Sequence, residues 1–248
     1  MSQTVHMATV IVHRTPHRNW YAHVENFNSN VLEVLRLVKI HEQLTGTKPG
    51  RRSAVEILNK SGIVLLVACW EAYVEDLATT AFEFLFANAS THDVFPTRVL
   101  TLASKDLRAA PDHRRVWELA ANGWRTVLQK HKSSVLADFV GKLNTPKPEQ
   151  IDGLFDQLIG LSAISQTWKW KKMPPSEACK RLTELVELRG EIAHRVTTSR
   201  GVKKSDVIRA AQFIDRLAVA SSNTVRQFLY DLTKKYGWGT AAYSLPPS

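Results

Sequence analysis

The chain has few of the residues that build disulfide frameworks, metal sites or phosphate-binding loops. It holds 2 cysteines in 248 residues. Because Cys69 and Cys179 lie far apart, we expect two reduced thiols and a cytoplasmic protein. The 9 histidines include no pair at zinc spacing beside a cysteine or carboxylate, so no metal site and no cofactor are predicted. The 11 glycines are dispersed, which excludes a glycine-rich phosphate loop.

Long apolar runs are also lacking. The longest one, Gly62 to Trp70, is about half of a roughly 20-residue membrane span and runs directly into Glu71, Glu75 and Asp76. We therefore predict a core helix at this position and no membrane partner. The first residues lack the charged, apolar and small-residue pattern of a signal peptide.

Positive charge is what the chain has in excess. Lys and Arg number 33 against 23 Asp and Glu, which gives a formal net charge of +10 and a sequence pI of about 9.7. This balance favours a polyanionic partner, either nucleic acid or an anionic membrane surface.

Apolar residues recur at helical spacing along most of the chain, and no convincing alternating strand is present. The sequence predicts an all-α fold, a single-domain helical bundle of about six or seven helices. We expect a basic tail over 1–20, a helical domain over 21–236 and a second tail over 237–248. The first predicted helix has the apolar residues Phe27, Val31, Val34, Leu35 and Val38, and a long second helix is capped by Ser53. A shorter helix runs from Thr97 to Ala109, and the next one starts at Asp112, with Val116, Leu119, Ala120 and Val127 on its inner face. The last three helices lie along 149–164, from Ser176 onward, and from Asp206 to Lys235.

The segment ELRGEIAHRV, Glu187 to Val196, places an arginine in an apolar stripe. On an ideal helix Arg189 falls near the centre of a stripe that contains Leu182, Leu185, Val186, Ile192, Ala193 and Val196. His194 lies about 140° away, beside Glu187, Gly190 and Glu191. Either the long Arg189 side chain bends around the helix, or the stripe faces a second copy, so that a two-fold axis gathers both residues into one cleft.

A purely structural alternative remains open for the same segment. Arg189 then pairs with Glu71 or Glu75 inside the core, and His194 is a surface histidine bonded to Glu191. The spacing alone does not decide between these interpretations, because an arginine followed by a histidine four to six residues later occurs five times in the chain.

The segment TWKWKK interleaves aromatic and cationic residues, as single-stranded nucleic-acid sites do. It contains Trp168, Lys169, Trp170, Lys171 and Lys172, which we predict to bind RNA. In the alternative interpretation, a tryptophan anchors the loop to the core and the lysines are solvated. The basic segments KPGRRS and HRRVW either extend an RNA groove or are solvated charge.

Three segments in order resemble the RiboL-PSP-HEPN-like families of the HEPN superfamily. They are ACWEAYVEDL (Ala68 to Leu77), NTPKPEQIDGLFDQLIGL (Asn144 to Leu161) and LVELRGEIAHR (Leu185 to Arg195). The resemblance implies a helical bundle, homodimerisation through the helix that carries Arg189 and His194, and metal-independent RNA cleavage. The chain departs from the pattern at Gly190, where active members often have a polar residue.

The chemistry of these residues fits that activity. Histidine can act as acid or base near neutral pH, while arginine stays charged and can bind a phosphate with two hydrogen bonds. We predict His194 as general base or acid, Arg189 as transition-state stabiliser and Glu71 or Glu191 as the group that orients the imidazole, with Arg195 contacting RNA.

The predicted function is that of a homodimeric endoribonuclease, the toxin or effector of a bacterial toxin–antitoxin or anti-phage system with a possible neutralising partner protein. Two alternatives are a non-catalytic HEPN-like module that binds RNA, nucleotides or protein, and a plain helical scaffold.

Overall fold

A computed structural model describes residues 22–45, 55–142, 146–195 and 201–239 of the chain, and within these ranges the fold is all-α, as predicted. No β-strand occurs in these ranges, where the only β pairing is an isolated bridge between Trp170 and Met173. The α-helices are α1 (Ala22–Thr45), α2 (Glu56–Asn88), α3 (Thr97–Ala103), α4 (Lys105–Ala109), α5 (Gly123–Lys142), α6 (Pro148–Ile159), α7 (Pro175–Arg195) and α8 (Lys204–Thr233). Short 3-10 segments lie at His92–Val94, His113–Leu119 and Ile164–Thr167.

Helix α2 lies at the centre of the bundle. It contacts α1, α5, α6, α7 and α8. By length and composition it is apolar enough to cross a membrane, but half of its most apolar 18-residue window is buried inside the fold. Its apolar side chains point in every direction around the helix, so the neighbouring helices must cover it on several sides. The predicted core helix is therefore present.

The helices around α2 contribute narrower apolar stripes. The predicted stripe of α1 is entirely buried, and α6 and α8 are amphipathic in the same way. Helix α8 is also fixed by a polar contact, because the Tyr73 hydroxyl of α2 donates a hydrogen bond of 2.8 Å to the Ala218 carbonyl. Helices α7 and α8 both pack against α2.

The segment after Asp112 differs from the predicted single helix. Asp112 is a cap, because its carboxylate accepts a hydrogen bond of 3.1 Å from the Arg114 backbone N–H. The element that begins after this cap is the 3-10 segment His113–Leu119 and not an α-helix. A Cβ at Gly123 would lie 1.8 Å from the Glu118 carbonyl oxygen, so the close approach of the two backbones requires glycine there. The predicted inner-face positions Val116 and Ala120 are wrong, because both are exposed. A 3-10 segment has three residues per turn and does not continue the phase of an α-helix.

Other predicted boundaries also shift. The segment from Thr97 to Ala109 is two helices, α3 and α4, interrupted at Ser104. The carboxyl-terminal tail does not begin at 237, because Trp238 is buried and donates a bond of 2.9 Å from its indole N–H to the Ser222 hydroxyl. The predicted tail over 1–20 and the predicted cap at Ser53 lie outside the described residues.

Gly160 ends helix α6 in the left-handed conformation, with φ of 75°, and its backbone N–H donates to the Asp156 carbonyl at 3.0 Å. A Cβ at this position would lie 2.6 Å from the Pro96 Cβ. We therefore expect Gly160→Ala to lower the free energy of unfolding by about 1–3 kcal/mol, measured by chemical denaturation. Gly153→Ala on the same helix is the matched control, because its Cβ would meet only Gln157 Nε2, at 3.8 Å. Equal stability of both variants would contradict the strain argument.

Candidate functional site

The candidate site lies where the apolar stripe of α7 reaches the surface. Leu182, Leu185, Val186 and Ile192 are buried, whereas Ala193, His194 and Arg195 are exposed at the end of the helix. Arg189 is half-buried between these two regions. The arginine therefore stands at the margin of the core: the residue is partly exposed, but its Nε atom is buried.

Glu71 on α2 lies opposite Arg189. Burial raises the pKa of the Glu71 carboxyl above its ordinary value, the nearby Arg189 guanidinium lowers it, and Glu75 raises it again. Desolvation is the largest of these effects, so the net pKa of Glu71 is raised even with a cation beside it. Within one copy of the chain, Glu71 and Arg189 are therefore close enough to interact electrostatically.

The acidic character of this face extends along α2. Glu75 lies one turn after Glu71, and burial together with the nearby Asp76 raises its carboxyl pKa. Asp76 is tied to α1, because the Asn26 amide donates a bond of 3.1 Å to its carboxylate. Of these carboxyl groups, Glu71 is the one whose pKa the Arg189 guanidinium lowers.

His194 is not brought to this contact. It is exposed, and α7 stays helical through Arg195, so the angle of about 140° from Arg189 persists. In the described part of the chain, neither His194 nor Glu191 has a hydrogen-bond or ion-pair partner, so the alternative bond between them is not formed. A single copy brings together Arg189 and Glu71 and leaves His194 and Glu191 on a separate exposed flank.

The TWKWKK segment divides into a buried part and an exposed part. Trp168 has 0% exposure, packs edge to face on Trp70, and donates a bond of 2.9 Å from its indole N–H to the Ser221 hydroxyl. Its prediction as an RNA-stacking residue is wrong, because neither ring face is accessible, and the alternative of a tryptophan anchor describes it. Trp170 is half-buried against Phe213. Lys169, Lys171, Lys172 and Arg195 are exposed.

A groove of about 610 Å³ between α7 and α8 was not predicted from the sequence. Its apolar residues are Ile63, Leu185, Leu188, Ala210 and Phe213, and its charged residues are Arg181, Glu184, Glu187, Glu191, Asp206 and Arg209. The Arg181 guanidinium lies over the Phe213 ring, 5.4 Å from its centroid. Glu191 and Leu185 of α7 line the groove, whereas Arg189 and His194 do not. Only the packing of two helices could reveal it.

Metal ligands are not clustered in the residues that the structure describes: no group of three or more His, Cys, Asp and Glu side chains there could hold a metal ion. The two cysteines are free thiols, and burial raises the pKa of Cys69 to about 11. Burial also raises the pKa of Cys179, so both thiols are less ionised at neutral pH than a solvated cysteine is.

A family model of RiboL-PSP-HEPN matches residues 21–227, which include Glu71, Arg189 and His194. The chain belongs to the RiboL-PSP-HEPN family. Domains of the HEPN type are often ribonucleases, so the family indicates a nuclease or an RNA-binding module. No curated protein and no solved structure gives a significant match.

The electrostatic interaction between Arg189 and Glu71 predicts a measurable change in the pKa of Glu71. Arg189→Ala removes the group that lowers the Glu71 pKa, so we expect this pKa to rise further above its ordinary value of 4.5 in a carboxyl NMR titration, while Arg189→Lys stays near wild type. Because the pKa of Glu71 is raised in the folded protein, ionisation of this carboxyl opposes folding. The free energy of unfolding therefore falls as the pH rises through the folded-state pKa of Glu71. Relative to the wild type, Arg189→Ala should therefore lose more unfolding free energy at neutral pH than in acid.

Arg181→Ala is the control for this titration, because its guanidinium packs on Phe213 in the groove. An unchanged Glu71 pKa in Arg189→Ala would contradict the proposed electrostatic contact.

Proposed function

We propose that this chain is a metal-independent endoribonuclease of HEPN type that acts as a homodimer in the cytoplasm. The observation that supports it most is Arg189, half-buried beside Glu71 at the point where the apolar stripe of α7 opens to solvent. A guanidinium in this position is held by a neighbouring carboxylate yet can still reach a phosphate. The net charge of +10 supports RNA as the substrate.

The proposed reaction is an internal transfer at phosphorus. A general base removes the proton from the 2′-hydroxyl, the 2′-oxygen attacks the adjacent phosphorus, and the bond to the 5′-oxygen breaks as that oxygen is protonated. The products are a 2′,3′-cyclic phosphate and a 5′-hydroxyl. His194 acts as base or acid, and Arg189 stabilises the charge that grows on the non-bridging oxygens. Glu71 positions Arg189, and Glu191 is the nearer carboxylate on the His194 flank.

The divergence of Arg189 and His194 supports a two-fold assembly. One helix directs the two side chains about 140° apart, so an active site that uses both needs a second α7. The exposed end of α7, with Ala193, His194 and Arg195, offers the surface through which the helices of two copies could meet. In this assembly each cleft combines groups from both copies, and Lys169, Lys171 and Lys172 contact RNA outside it.

We further propose that the enzyme is the toxic or defensive component of a bacterial toxin–antitoxin or anti-phage system. RNA cleavage in the cytoplasm would harm the host unless it were restrained, so a neutralising partner protein is part of the proposal. The two free thiols are compatible with a reducing compartment. An adjacent gene for a small antitoxin-like protein would support this role.

Arg189→Ala and His194→Ala are expected to lower RNA cleavage by at least about 100-fold each, because each removes one group that stabilises the transition state. Cleavage is measured as 2′,3′-cyclic phosphate ends on a mixture of RNAs, with chelator present, at protein concentrations where sedimentation shows a dimer. Circular dichroism should show both variants folded, because His194 is exposed and Arg189 only half-buried.

Arg36→Ala and His92→Ala are the matched controls, since both side chains are exposed and lie on other elements. Wild-type cleavage in both Arg189→Ala and His194→Ala would exclude the proposed site. RNA binding without cyclic phosphate ends would instead favour the non-catalytic binding module. Unfolding of Arg189→Ala would favour the plain scaffold, in which the arginine only balances a carboxylate.

Substitutions at Gly190 test the departure from the family pattern, in which a polar residue often follows the motif arginine. A Cβ there would meet no atom within 4 Å, so the position accepts a side chain. Gly190→Ala should raise the free energy of unfolding by about 0.5–1 kcal/mol through helix propensity alone. Gly190→Asn should in addition raise the cleavage rate, because it supplies a polar group next to the motif arginine. Equal rates for the Asn and Ala variants would show that the polar group contributes nothing here.

A further inference from the structure

Trp117 is exposed to an unusual degree for its residue type. Its side chain is 77% exposed, whereas Trp70, Trp124, Trp168 and Trp238 are buried in the same fold. A buried tryptophan removes a large apolar area from water, so an exposed one forgoes that stabilisation. The adjacent Val116 is 47% exposed, which makes the pair an apolar patch on the surface.

The backbone that carries Trp117 is fixed by local ion pairs. Asp112 caps the 3-10 segment and binds the Arg114 guanidinium through both oxygens, at 2.9 and 3.0 Å. Arg115 donates to Glu118 at 2.8 Å. The segment also packs on α4 and α5. The ring is therefore presented by an ordered segment, which lowers the entropy cost of binding a ligand.

Cationic residues flank Trp117 in the sequence. Between Lys105 and Leu119 the chain has four of them, on Lys105, Arg108, Arg114 and Arg115, against three carboxylates, on Asp106, Asp112 and Glu118. Because this local balance is only slightly positive, charge alone would bind a polyanion weakly. The exposed indole would have to provide most of the affinity, through stacking.

We propose that Trp117 is a stacking platform for an unpaired base of single-stranded RNA, with Arg114 and Arg115 exchanging part of their pairing with Asp112 and Glu118 for contacts to the flanking phosphates. An exposed aromatic ring beside guanidinium groups is the combination that binds single strands, because every base has a face that can stack. The inference rests on the proposed function for RNA as the substrate. The binding surface around Trp117 is separate from the proposed cleavage site at Arg189 and His194.

The separation follows from the position of the segment in the bundle. Trp124, at the start of α5, packs on Phe86 near the end of α2, with ring centroids 6.3 Å apart. Glu71 lies 15 residues earlier on the same helix, about 22 Å along its axis. Substitutions at Trp117 should therefore leave the Arg189 contact undisturbed, and the two proposals can be tested independently.

The test measures binding of a labelled 20-nucleotide oligouridine by fluorescence anisotropy, using the full chain with His194→Ala so that the RNA stays intact. We expect Trp117→Ala to weaken binding about ten-fold and Trp117→Phe, which keeps a ring, to weaken it less than three-fold. Val116→Ala is the control for the apolar neighbour and should bind as the parent does. The Trp117→Ala defect should persist at high salt, whereas a defect in Arg114→Gln should shrink.

A direct contact is read from photocrosslinking of 5-iodouridine RNA, which should modify the peptide that contains Trp117. Equal affinities for the parent and Trp117→Ala would overturn the inference, in favour of a protein partner for this patch. A wild-type chain that binds RNA through Trp117 but does not cleave it would refute the proposed catalysis and support the platform. A chain that cleaves RNA with no contribution from Trp117 would support the proposed catalysis and refute the stacking platform.

Discussion

The covering of helix α2 is the constraint on which the other elements depend. This helix is apolar around its whole circumference, so it is stable in water only if other helices pack on several of its sides. Helices α1, α6, α7 and α8 provide that cover with amphipathic stripes, and their order around α2 follows from it. Glu71 and Glu75 are among the charged residues of this helix. Because they share its partly buried setting, desolvation raises both of their pKa values.

The same packing explains why Arg189 can lie in an apolar stripe. Where α7 crosses α2, the arginine lies near Glu71, and each charge reduces the cost of partly burying the other. The interaction with Glu71 and the proposed phosphate-binding role of Arg189 are therefore compatible with each other. In the proposed enzyme, Glu71 holds the guanidinium in place, and an incoming phosphate takes over part of its interaction.

Two tryptophans show how similar local sequences acquire opposite environments. Trp168 and Trp117 both have basic neighbours, yet the first is fully buried and the second is largely exposed. Trp168 is covered because α8 passes over it and Ser221 accepts its indole N–H. Trp117 lies on a 3-10 segment that packs on α4 and α5 but leaves the tryptophan itself largely exposed. Neighbouring lysines or arginines do not predict whether an aromatic ring is available to a ligand.

The sequence by itself determined the all-α class, the stripes of α1 and α7, the main breaks between helices and the family of the chain. These follow from local periodicity, from caps and from motif residues that are close in the chain. Only the tertiary structure decided that Arg189 meets Glu71, that Trp168 is enclosed by α8, that Trp238 belongs to the core, and that a groove separates α7 from α8. Periodicity shows which face of a helix is apolar, but which other helix covers that face depends on contacts between residues far apart in the chain.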